Sequence, residues 1–155
     1  STGFKSEHFD IQLDADVHNK IVELCSEDGL APYLLENLDA SVKEVPKGKD
    51  RVATKIRSDA VTSSGSAVIA EEGKTSTLTV GQRKLAGFDM EVYSVYEAAR
   101  FATSKPAFFA AKAVVDDGGR NKGDQFHRIG CLISARFVAK AIRAGIVDVR
   151  PGGRE

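Results

Sequence analysis

The sequence predicts an α/β protein in which helices cover a sheet on both sides. Two observations carry this. Strand-like and helix-like stretches alternate along the chain, and one strand-like stretch, AFFAAKAVV (107–115), is apolar on both faces. A strand with one solvated face alternates apolar and polar residues, whereas one that is apolar throughout is covered on each side. The length of 155 residues suits one domain with a sizeable core.

From the N-terminus, FDIQLD (9–14) alternates and predicts a short strand. In ADVHNKIVELCSEDG, Val17, Ile21, Leu24 and Cys25 recur at i, i+4, i+7 and i+8, one face of a helix. Asp14 or Asp16 can cap its start and Gly29 its end. APYLLENLDA (31–40) predicts a second, short helix, and PKGKD (46–50) a polar turn. RVATKIRSDAV (51–61) and GSAVIA (65–70) predict strands separated by Thr62, Ser63 and Ser64. The polar stretch 71–82 follows neither period. AGFDM (86–90) predicts a short strand that leads into EVYSVYEAARFA (91–102), apolar around most of its circumference and so a buried helix. After the strand at 107–115 come a glycine-rich loop (118–123) and a long helix over 125–144. That helix has the stripe Phe126, Ile129, Ile133, Phe137 and Ala141. A domain over 1–150 is expected, with 151–155 a loose tail.

Lys plus Arg and Asp plus Glu number 22 each, so the formal net charge is zero and no basic stripe invites nucleic acid or a membrane surface. No apolar run approaches the ~18 residues of a membrane span, and no signal peptide is visible. Cys25 and Cys131 lie apart in helical stretches without metal-ligand spacing and read as reduced core thiols of a cytoplasmic protein. EGKTS holds the Gly-Lys-Thr of a phosphate loop, but Val68 stands where the first glycine is needed. SSGSA lacks the spacing of a nucleophile elbow, and no metal motif is present, so neither metal nor cofactor is expected. His8, His18 and His127 read as surface residues.

Ligands of α/β sheets bind beyond the carboxyl ends of strands, and Asp116 and Asp117 follow the apolar strand directly. Lys112, four residues before Asp116 and so on the same strand face, must reach solvent or a counter-charge. Without further information, Asp116 could equally cap a turn before the glycines, and Glu91 could stand in a first helical turn because the helix dipole favours it.

Three stretches, SSGSAVIA (63–70), KLAGFDMEVYSVYEAA (84–99) and AKAVVDDGG (111–119), resemble in order and spacing the C-terminal part of one superfamily. It is that of the purine nucleoside phosphorylases and methylthioadenosine/adenosylhomocysteine nucleosidases, in particular the phosphorylase-like effector domains of bacterial multidomain proteins. The likeness continues through ISARFVAKAI (133–142) and spans roughly residues 50–145. It implies a three-layer sandwich, a mixed sheet flanked by helices, without the N-terminal half of the full family domain. It also implies cleavage of the N-glycosidic bond of a purine nucleoside.

That cleavage develops positive charge on the ribose and negative charge on the departing base. A carboxylate accepting hydrogen bonds from two ribose hydroxyls orients the sugar and stabilises the cation; Glu91 matches the family's ribose-binding Glu, with Met90 against the sugar. The base leaves with a proton from a carboxylic acid of raised pKa, and Asp116 matches that acid. By the same resemblance Ser64 and Gly65 belong to the Ser-Gly strand of the site, Val68 and Ile69 lie against the base, and Phe126 either closes over the ligand or packs in the core. Asp117 falls where the family carries an apolar or aromatic residue, and Val68 where the nucleosidases often stack a Phe.

Nothing in residues 1–50 matches the family's phosphate-binding loops or its water-activating base. The chain is therefore expected to be either an excised piece or a degenerate domain, and inorganic phosphate would bind only through the missing half. Phosphorolysis and hydrolysis stay open. So does the alternative of a catalytically inactive nucleoside-binding or assembly module that keeps the fold. A homo-oligomer is expected, because absent strands leave a sheet edge to be covered.

Overall fold

A computed structural model describes residues 10–38, 56–64, 84–115 and 126–147. In chain order they form α1 (Ala15–Cys25), α2 (Leu30–Leu35), β1 (Val61–Ser64), β2 (Leu85–Asp89), α3 (Val92–Phe101) and α4 (His127–Arg143). Among the described residues the sheet is two-stranded and parallel, so the chain combines helices with a small parallel sheet. No helix among these residues is long and apolar enough to cross a membrane.

α1 begins where Asp14 turns its carboxylate onto the N–H groups of Asp16 (2.9 Å) and Val17 (3.3 Å), satisfying donors that the first turn leaves unpaired. The same cap removes 9–14 from the expected strands: the described residues 10–14 carry no strand and lead into the helix. Ser26, not Gly29, closes α1, its hydroxyl donating to the Glu23 carbonyl at 2.7 Å. Gly29 instead opens α2, where Pro32 sits in the first turn and so breaks no helical hydrogen bond. The chain leaves α2 through Asn37, whose left-handed φ of 54° an Asn tolerates better than most side chains.

Val17, Ile21, Leu24, Leu30, Leu34, Phe137, Ala141 and Ile146 form the buried core, with Phe109, Ala111 and Ile133 packed against it. It is a cluster of α1, α2 and α4. Arg136 of α4 locks it from outside, its guanidinium donating to the Leu34 (2.9 Å) and Glu36 (2.6 Å) carbonyls at the open end of α2. Lys140 pairs with Glu27 at 3.3 Å.

The segment 107–115 is not a strand of the described sheet, which corrects the expectation that started the fold prediction. Its neighbours nonetheless alternate with period two. Phe109 and Ala111 meet the core, Ala113 donates its N–H to the Ser134 hydroxyl of α4 (3.1 Å), and Val115 lies on Gly130. On the other side Phe108 stacks on Tyr96 of α3 (centroids 4.6 Å apart), Lys112 meets Asp89, and Val114 meets Gly87 of β2. One face thus packs against the core and α4, while the other is contacted at points and stays largely open, with Val114 75% exposed; among the described residues its backbone joins no ladder.

Gly130 lets α4 come this close. A Cβ there would land inside the Val115 side chain, with the Ala113 Cβ at 3.5 Å on its other flank. Gly130→Ala should therefore destabilise by about 1–3 kcal/mol through overpacking, less up to ~1 kcal/mol returned by the better helix propensity of Ala. Adding Val115→Ala should recover most of the loss in thermal unfolding. An unchanged Tm in the single variant would show that the two elements do not touch in solution.

Three further expectations change. Thr62, Ser63 and Ser64 look like a break by composition, yet they are β1 itself, in register with Gly87, Phe88 and Asp89. α3 is not buried: Val95 is 59% and Phe101 79% exposed, and none of its residues reaches the core. Cys131 is exposed rather than a core thiol, while Cys25 is partly covered and burial pushes its thiol pKa up. His18 and His127 are exposed. The polar turn at 46–50, the strand at 65–70, the stretch 71–82, the loop 118–123 and the tail 151–155 lie outside the described residues.

Candidate functional site

Parallel pairing puts the carboxyl ends of β1 and β2 side by side. Ser64, the last residue of β1, is level with Asp89, the last of β2. Met90 and Glu91 follow at once, and α3 starts one residue later. Ser64 of one stretch that carries the family resemblance and Asp89, Met90 and Glu91 of another therefore stand at one edge of one sheet.

Asp89 builds that edge. Its Oδ1 accepts from the Glu91 N–H (2.8 Å) and the Val92 N–H (2.5 Å), which caps α3, and its Oδ2 accepts from Lys112 Nζ at 2.6 Å. The Asp89 side chain is 4% exposed, so its charge is held by partners and not by water. Burial pushes its pKa up, but the Lys112 hydrogen bond, the two backbone N–H groups and the Lys112 charge outweigh it and leave the carboxyl below its ordinary value. Lys112 moves the opposite way, raised most by its hydrogen bond to Asp89, against some burial, with help from the Asp89 and Glu91 charges. A depressed carboxylate stabilises the fold above its unfolded pKa and ceases to as pH falls through the folded one. A raised lysine stabilises below its unfolded pKa and ceases to as pH rises through the folded one. The pair therefore holds across the neutral range and fails at both extremes.

Glu91 contrasts with its neighbour. Its backbone is tied by Asp89, but its side chain is 63% exposed, with Lys112 Nζ at 3.7 Å from Oε2. Met90 is 53% exposed beside it. An anchored backbone presenting a solvent-facing carboxylate next to an apolar side chain can accept hydrogen bonds from a polyol while covering its apolar face. Tyr96 stands behind, its phenol pKa raised by burial, partly opposed by a hydrogen bond with the Ala110 backbone.

Of the residues the sequence singles out, Ser64, Met90 and Glu91 come together at this edge. Phe126 is half-buried at the start of α4, outside the central core cluster. Gly65, Val68, Ile69 and Asp116 lie outside the described residues. Because 107–115 is not part of the ladder, the strand-end argument applies to β1 and β2, and Asp116 rests on the family resemblance alone. Asp89 is a site residue that the sequence motifs did not single out. The signal was present: Asp89 precedes Val92 by three residues as Asp14 precedes Val17, the spacing by which an Asp caps a helix. Comparison of the chain with protein-family models, with curated proteins and with solved structures finds no match.

Proposed function

We propose that these residues form the ribose- and base-contacting part of a nucleoside phosphorylase or nucleosidase-like domain that cleaves the N-glycosidic bond of purine nucleosides. The three-layer sandwich with a mixed sheet and the cytoplasmic setting belong to the same proposal. The observation that supports it most is the edge itself. Ser64, the last residue of β1, is level with Asp89, 25 positions on and directly before Met90 and Glu91, at the carboxyl ends of parallel strands, where α/β sheets bind ligands. Glu91 takes the two ribose hydroxyls, Met90 covers the sugar, and Asp116 protonates the base.

Calorimetry with adenosine and 2′-deoxyadenosine tests this. The chain should prefer the ribonucleoside by about tenfold or more, the scale of one charge-assisted hydrogen bond, and Glu91→Gln should remove most of that preference. No preference in the unaltered chain removes Glu91 from the role. A second reading, an assembly module that has lost turnover, draws on the exposed Phe88, Met90, Val95, Phe101 and Val114 of β2, α3 and the adjoining segments. Its signature is a dimer mass by light scattering with no nucleoside binding.

A further inference from the structure

We infer that Lys112 is the positioning residue of Glu91, holding its backbone through Asp89 and its carboxylate directly. The inference rests on the nucleoside reading of the site. One ammonium bridges two carboxylates that would otherwise repel, 2.6 Å from Asp89 Oδ2 and 3.7 Å from Glu91 Oε2. The chain of contacts runs Lys112 to Asp89, then from Asp89 Oδ1 to the N–H of Glu91 at 2.8 Å, so the lysine reaches both ends of the same residue. A solvent-facing glutamate otherwise samples many rotamers, and fixing it in advance removes that cost from ligand binding. An ammonium has three donors and a carboxylate about four acceptor positions, so Glu91 keeps lone pairs for two hydroxyls while Lys112 stays in place. Lys112 is itself anchored by position: the segment carrying it is pressed onto α4 through Ala113, Val115 and Gly130. Packing between two remote elements thereby reaches the ligand-facing carboxylate.

The test uses the 155-residue chain with Lys112→Met, which keeps the aliphatic stem, and Lys112→Arg, which keeps the charge. Amide hydrogen exchange at Glu91 and Val92 should quicken at least about tenfold in Lys112→Met, with α1 and α4 amides unmoved, and return towards the original rate in Lys112→Arg. The preference for adenosine over 2′-deoxyadenosine should fall about tenfold in the Met variant and recover in the Arg variant. Unmoved amides at Glu91 and Val92, or a preference retained in Lys112→Met, overturns the positioning role. A chain that shows no ribonucleoside preference before any substitution overturns the nucleoside reading instead, and the role towards ribose with it. The exchange rates still decide whether Lys112 holds Glu91.

Discussion

If the proposed nucleoside cleavage holds, Asp116→Asn should lower its kcat by about 10²–10⁴, the scale of general acid catalysis. Asp117→Asn should cost less than about tenfold. The asymmetry comes from chemistry. A purine leaves as an anion unless a proton reaches its imidazole nitrogen, and an asparagine can hydrogen-bond there but cannot release a proton. Binding contacts survive the change, so kcat should fall more than KM rises. Asp116 directly follows Val115, which lies against Gly130 of α4, so the residue before it in sequence has a fixed seat. Base release followed by absorbance separates the two aspartates. A larger loss in Asp117→Asn would shift the assignment by one residue and would undo the match to the family acid.

Leu30→Ala should cost about 2–5 kcal/mol of unfolding free energy, the range for emptying a buried leucine site. Leu30 is 0% exposed and lies in the core cluster with residues of all three packed helices. It is also the first residue of α2, tied by its N–H to the Glu27 carbonyl at 3.0 Å, so the backbone cannot slide to fill the void. For a domain whose whole stability is of order 5–15 kcal/mol, such a loss leaves a visibly unfolded fraction. Val95→Ala on α3 is the matched comparison and should change stability by less than about 0.5 kcal/mol. Urea unfolding of both variants checks the contrast. Equal losses would place α3 within the core.

The parts of this fold that were legible beforehand are those governed by local rules. α1 and α4 announce themselves through apolar residues at helical spacing, and Asp14 through its place before the first turn. What escaped depends on distant partners. Thr62, Ser63 and Ser64 look like a turn until β2, more than twenty positions on, supplies the ladder. AFFAAKAVV has every mark of a central strand, but a strand needs a ladder partner, and among the described residues the sheet holds β1 and β2 alone. The apolar circumference of α3 predicts burial, yet burial needs elements on every side, and hydropathy does not count them. In the site, Glu91 and Met90 were singled out by the family resemblance. The Asp89–Lys112 pair that holds them joins residues 23 positions apart and became visible only with distances.

Among the described residues the buried cluster draws on α1, α2, α4 and Ile146, which sets two tiers of cooperativity. Opening the edge of β2 and α3 breaks the Asp89 cap, the Lys112 pair and the Tyr96–Phe108 contact, and leaves the buried cluster whole. Such openings cost less than global unfolding. A ligand seated on Glu91, as proposed, would therefore stabilise the upper tier first, suppressing local excursions while the denaturation midpoint of the helical cluster moves little. Occupancy of this site would be written in protection against cleavage near α3 more than in melting temperature.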